Sequence, residues 1–220
     1  MTVLKLSPDT PSFSPLEPIF AAHSGKVPFA FQEQFLHSPN NPYRIALEGT
    51  IHHAWHKPLL HPLFWLLGKA GILIPKDGKD IKTVLEVVAG YYPNGEPYHQ
   101  WNRTLYFQPP IHFNTVIVYD AQYRLVGDLV GPGNSIYLLW HAHFHPPTTF
   151  TLDTASCALQ IGKQRLWMPR WLWPLLLGVV HFVQKIDDVR QDTMRIDLLI
   201  THPIFGKIFG YDGTFHVTRK

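Results

Sequence analysis

The sequence predicts an α+β domain built on a curved, mostly antiparallel β-sheet, half-barrel or barrel-like, with two or three packing helices. Three observations carry this expectation. Runs of alternating apolar and polar residues recur from Tyr43 to Val217. The turns between them are too short for the helical crossovers that parallel strands require. Two apolar stretches, 59–74 and 170–184, lack that alternation and read as helices covering the concave face of the sheet.

Taken in order, the first 18 residues carry four prolines with Lys5, Asp9 and Glu17 and no apolar run. They read as a loose leader, neither signal nor transit peptide, ahead of a single domain over 19–220. Pro28 to Leu36 forms a short helix, with Phe31 and Phe35 four apart and a stop at Ser38-Pro39-Asn40. From Tyr43 the period becomes two: Ile45, Leu47, Gly49, Ile51, His53 and Trp55 share one face, with Arg44, Glu48, Thr50, His52 and His56 opposite. After the apolar stretch at 59–74, Ile81, Thr83, Leu85, Val87, Ala89 and Tyr91 line a second strand. Pro93-Asn94-Gly95-Glu96 then turns the chain into a third strand carrying His99, Trp101, Arg103, Leu105 and Phe107. Further strands follow near 113–119, 123–130, 135–145 and 150–161. Two last ones come after the 170–184 helix, near 189–200 and 207–217. A sheet curled in this way encloses an apolar cavity suited to a small molecule.

Composition narrows the function classes. Charged residues are 16% and hydrophobic ones 45%, which excludes disorder. A formal charge of +3 without basic runs argues against nucleic acid. One cysteine, Cys157, permits no internal disulfide and reads as a small core residue. No apolar run is long enough to span a bilayer, so the expectation is a cytoplasmic chain. Trp65, Trp167, Trp171 and Trp173 beside Lys69, Arg165 and Arg170 also supply the anchors of interfacial helices, leaving a peripheral membrane contact open.

Three features carry candidate chemistry. His141, His143 and His145 alternate on one strand and point the same way, so they either share a divalent transition metal or form a wet histidine face; Ile136, Leu138, Trp140, Ala142 and Phe144 make a complete core face opposite them. His53, on an apolar face, is either a hydrogen-bonded core residue or an acid or base facing the cavity. Arg103 has Trp101, Leu105 and Phe107 as face neighbours. Its guanidinium either pairs with Glu86 or Asp128, or holds the anionic group of a ligand. No phosphate-binding glycine loop, serine-nucleophile elbow or zinc-protease motif is present.

Several short motifs sit in this order: Phe35-Leu36-His37, Gly49, Trp101-Asn102-Arg103, Met168-Pro169-Arg170-Trp171-Leu172-Trp173-Pro174 and Tyr211-Asp212-Gly213, with Asp128 ahead of Gly131-Pro132. Together they resemble an uncharacterised bacterial domain-of-unknown-function family, found alone and C-terminal to saccharopine-dehydrogenase-like reductase modules. The likeness runs from about residue 15 to the end. It implies a compact domain, points at His37, Trp101, Arg103 and Tyr211 as site residues, and implies a reductase as partner. The reading that follows is a binder of a hydrophobic small molecule or lipid. Arg103 holds the anionic group, Trp101, Phe107 and His53 line the pocket, and the helix at 171–182 gates it or touches a membrane. The alternative is an enzyme on a similar substrate, using His53 or a metal at His141, His143 and His145.

Overall fold

Buried and outward residues alternate along almost every strand, and the sheet they build closes on itself. The computed structural model describes residues 14–41, 43–74, 76–162, 164–188 and 193–220. Most of the predicted leader, and Val189 to Asp192 of an acidic stretch, lie outside the described residues. Among the described residues, eleven strands form one antiparallel sheet: β1 (Ile45–His56), β2 (Gly78–Tyr91), β3 (Pro97–Leu105), β4 (Ile111–Asp120), β5 (Leu125–Val130), β6 (Ile136–His145), β7 (Thr149–Ile161), β8 (Gln164–Trp167), β9 (Val179–Asp188), β10 (Thr193–His202) and β11 (Gly206–Arg219). The order is β6-β5-β4-β3-β2-β1-β11-β10-β9-β7-β8, and β6 also pairs with β7. Ten strands therefore close into a barrel, which leaves no open sheet edge within the ring. β7 shares its length between β9, at 149–153, and β8, at 158–161.

The inner face carries the core: Leu47, Ile81, Leu85, Val87, Trp101, Leu105, Ile117, Trp140, Phe150, Phe182, Ile196, Ile200 and Phe215 are all buried. Outward positions bear Lys82, His112, Asn114, His141, Arg195, Asp197 and His216, all exposed. That polarity is the reverse of a membrane-spanning barrel, whose wall is apolar outside. No described helix is long and apolar enough to cross a membrane.

One end of the barrel is plugged by α1 (Glu17–Phe20) and α2 (Phe29–Phe35). Phe20 and Phe35 stack on Phe150, at 5.6 and 4.4 Å between ring centroids, and Phe35 lies 6.0 Å from Trp101. Glu33 accepts a forked pair of bonds from Arg219 Nε and Nη2 at 2.7 and 3.0 Å, fixing α2 to the end of β11. Ser14 and Leu16, just ahead of α1, are also buried.

The other end is capped by two segments, one at 57–77 holding α3 (His61–Lys69) and one at 168–178 holding α4 (Trp173–Leu177). Ile72 from the first and Trp173, Met168 and Leu177 from the second pack with Val130, Ile136 and Cys157. The expected helix over 170–184 is corrected here. Gly178, at φ +75°, ends α4, and Val179 to Asp188 run on as β9, as the β-branched Val179, Val180 and Val183 favour.

Candidate functional site

Side chains from β3 to β7, from β9 to β11 and from the cap stop short of filling the barrel. They leave a cavity of about 140 Å³, room for roughly a benzene ring. A smaller space of about 50 Å³ adjoins it, and Trp101, Arg103 and Tyr211 line both. The walls are otherwise aliphatic and aromatic, so the few polar atoms that reach the space determine what it can hold.

Arg103 projects inward from β3 between the rings of Trp101 and Phe113, its guanidinium carbon 5.2 and 5.1 Å from their centroids. Its hydrogen bond goes to a neutral group: Nη1 donates to Thr115 Oγ1 on β4 at 3.3 Å. Burial pulls its pKa below the usual arginine range, opposed by the nearby Tyr211 and Asp128. Asp128, inward on β5, lines the same cavity and makes no ion pair with it. Burial pushes the Asp128 carboxyl up to about 6, against the charge of Arg103 and the Thr115 and Trp140 groups that face it. Burial also raises the Tyr211 phenol, against the pull of Arg103.

Asp128 Oδ1 and the indole nitrogens of Trp101, Trp140 and Trp173 are all buried without a hydrogen-bond partner, and all four residues line this cavity. Buried polar atoms left unpaired cost about 1–3 kcal/mol each. The Trp140 N–H faces the Asp128 carboxyl, which leaves the Trp101 and Trp173 N–H groups and a guanidinium whose one hydrogen bond among the described residues goes to a hydroxyl as the donors beside this space.

The residues singled out from sequence fall in three places. Trp101, Arg103 and Tyr211 meet in the cavity. Phe107, just past the end of β3, packs instead against Gly78 and lies under Lys76, outside the cavity lining. His37 is buried beside the plug. Its Nδ1 accepts from Asn41 at 3.0 Å, and its carbonyl accepts from His99 Nε2 at 2.8 Å. Burial lowers the pKa of both histidines, that of His99 to about 4.

His53 and the three strand histidines lie on the outer wall. A β-bulge between Ile51 and His53 puts both His52 and His53 outside and reverses the phase of β1, so that Ala54 and His56 face inward. His53 therefore cannot act on the cavity. His141, His143 and His145 are exposed on the outer wall with ring centroids 6.4 and 6.1 Å apart, the spacing that alternate strand residues impose. Among the described residues no three metal-ligating side chains converge, and these three form a ladder.

The bulge also builds a group that alternation conceals. Inward His56 gives both its main-chain N–H, at 2.7 Å, and its Nδ1–H to Asp77 Oδ1. Its Nε2 meets Nδ1 of His61 at 2.8 Å. This carboxylate–imidazole–imidazole chain runs from the β2 entrance to the first turn of α3 and pins the cap to the barrel rim. Trp140, read from sequence as a core-face residue, and Asp128, named as a possible partner of Arg103, also line the cavity, as does Trp173 from the cap, which no pattern in the sequence places there.

The chain belongs to a family described as a domain of unknown function (DUF4166), whose profile matches residues 28–215. No curated protein matches it.

Proposed function

We propose that this DUF4166 domain binds a small, mostly apolar organic molecule inside the barrel, with Arg103 holding its one carboxylate or carbonyl group. The observation that carries the reading is the guanidinium of Arg103, enclosed by aromatic walls and, among the described residues, hydrogen-bonded only to the Thr115 hydroxyl. A buried arginine is stabilised by a bidentate acceptor, and the cavity offers the space for one. Room for roughly one ring at Arg103 favours a compact acid, or a longer lipid-like molecule whose remainder extends toward the cap. The reductase modules implied by the sequence resemblance would make or consume such a molecule.

A second reading is favoured by Asp128. Asp128 lines the cavity, and a carboxyl pushed up to about 6 exchanges protons near neutrality. In that reading Asp128 moves a proton on the guest while Arg103 stabilises negative charge on the adjoining oxygen.

Native mass spectrometry of untagged protein, compared with its denatured mass, tests the first reading. An organic adduct is expected, together with tryptophan-fluorescence titration by benzoate. Arg103→Met should melt near the wild type yet bind benzoate about 10- to 100-fold more weakly, the worth of a charge-assisted pair. Equal affinity in that variant would remove Arg103 from the reading. Carbon-bound hydrogen exchange on the adduct, lost in Asp128→Asn with binding retained, would move the assignment to an enzyme.

A further inference from the structure

We propose that the capped end of the barrel docks on an anionic lipid bilayer, with α3 and α4 lying in the headgroup layer. Both cap segments are apolar on two sides. Their inner sides bury Phe64 and Trp173, while their outer sides present Leu59 (72% exposed), Trp65 (51%), Leu66 (59%) and Trp171 (69%). The β10–β11 turn adds Ile204 at 71%. It belongs to the same surface, because Lys57 Nζ donates to the Phe205 carbonyl at 2.8 Å and His202 Nε2 donates to the Leu175 carbonyl at 2.9 Å. A group of exposed indoles and leucines this dense, on the cap segments that line an apolar cavity, marks an interaction site rather than ordinary surface.

Charge selects the partner. Segments 57–77, 168–178 and 202–207 carry Lys57, Lys69, Lys76, Arg170 and Lys207 against one acid, Asp77, whose carboxylate is taken by His56. Lys69 Nζ lies 4.0 Å from the Trp65 ring centroid, pairing a cation with an interfacial aromatic. Tryptophan and leucine beside lysine and arginine is the composition of elements that lie in the headgroup region, and the cations favour anionic lipid. The described helices are too short to cross, so contact is confined to the surface. Docking stands on these exposed residues alone. Only its purpose, passage of an apolar guest between bilayer and cavity, rests on the proposed function.

The test is flotation of the full chain with phosphatidylcholine vesicles, with and without phosphatidylglycerol. Cofloating with the anionic vesicles, and release by high salt, is expected. Replacing Lys69, Arg170 and Lys207 with glutamine should weaken binding about fivefold per cation. Trp65→Ser with Trp171→Ser should abolish it, and Tyr91→Ser at the opposite end should leave it unchanged. In the unmodified protein, brominated lipid should quench tryptophan fluorescence, a readout independent of any variant's folding. Failure to float with anionic vesicles, binding indifferent to lipid charge, or loss of the apolar surface to a stable homodimer would each overturn the proposal. None of these outcomes touches the adduct measured by mass spectrometry.

Discussion

Arg103 and Asp128 face one cavity without forming an ion pair; the guanidinium bonds to the Thr115 hydroxyl at 3.3 Å and one oxygen of the carboxyl stays bare. A buried cation and a buried acid left apart each keep capacity for a third party. When Asp128 is ionised it repels an anionic guest; once protonated it can donate to one. With its carboxyl pushed up to about 6, benzoate affinity should rise about tenfold as pH falls from 7 to 5. Asp128→Asn should bind with the low-pH affinity throughout. Titrations at several pH values decide this, and a flat wild-type profile would show that the guest does not sense Asp128.

Two buried groups push stability in opposite directions with pH. His99 titrates near 4 when folded against 6.5 when free, so the unfolded chain binds more protons between those values and stability falls as pH drops through them, by roughly 3 kcal/mol. Asp128 titrates near 6 against 3.8, so the folded chain holds the extra proton and stability falls as pH rises from 3.8 to about 6, by a similar amount. Together they flatten the wild-type profile over that window. His99→Gln should leave a protein that loses stability toward pH 6, and Asp128→Asn one that loses it toward pH 4. Urea midpoints across the window would show the two slopes, and slopes of the same sign in both variants would contradict the assignment.

The inward parity of Trp101 and Arg103 was legible because β3 keeps a regular period of two around them, whereas Tyr211 was pointed to by the resemblance alone. β1 is different. Nothing in His52-His53 announces that one residue is extra, and the bulge alone decides that His56, not His53, faces inward. Closure was half legible: short turns implied an antiparallel curl, but the pairing of the first strand with the last, β1 with β11, joins segments far apart in the chain and depends on twist accumulated around ten strands. β9 was hidden because Trp171 to Val180 is an uncharged apolar run, which a buried strand and a helix share; the break lies at Gly178. Asp128 was named only as a possible partner of Arg103. Its unpaired oxygen is a property of three strands together and has no one-dimensional trace.

Asp77 holds His56 through two donors, and His56 in turn holds His61 in α3, so one carboxylate anchors the first cap segment. Asp77 is half exposed, which screens the pair, and its loss should cost only about 1–2 kcal/mol. The effect should be local. In Asp77→Ala, backbone hydrogen exchange should quicken in 57–74 while the strands stay protected, and guest release should speed up. His61→Ala, which spares the Asp77–His56 bond, should do less. Uniform loss of protection over the barrel would instead make the chain a general stability element.

Gly49 tests how closely β1 and β11 approach. A Cβ there would collide with the Thr214 carbonyl oxygen and lie 2.7 Å from both Phe215 Cα and Cδ1. The aromatic ring could turn away, but the carbonyl and Cα belong to the ladder that pairs Gly49 with Phe215 and cannot move without breaking it. Gly49→Ala should therefore destabilise by about 3 kcal/mol, the upper end for overpacking, as read from a urea midpoint. Phe215→Leu in the same chain should not restore stability, since it removes only the ring. Recovery in the double variant would place the obstacle in the Phe215 side chain and show that the strand backbones have room to part. Gly127 makes the converse case. The atoms nearest its added Cβ all belong to the Tyr137 side chain, with Cε2 at 2.6 Å, and Tyr137→Ala should relieve that clash even as it forfeits the 2.8 Å bond to Asp120.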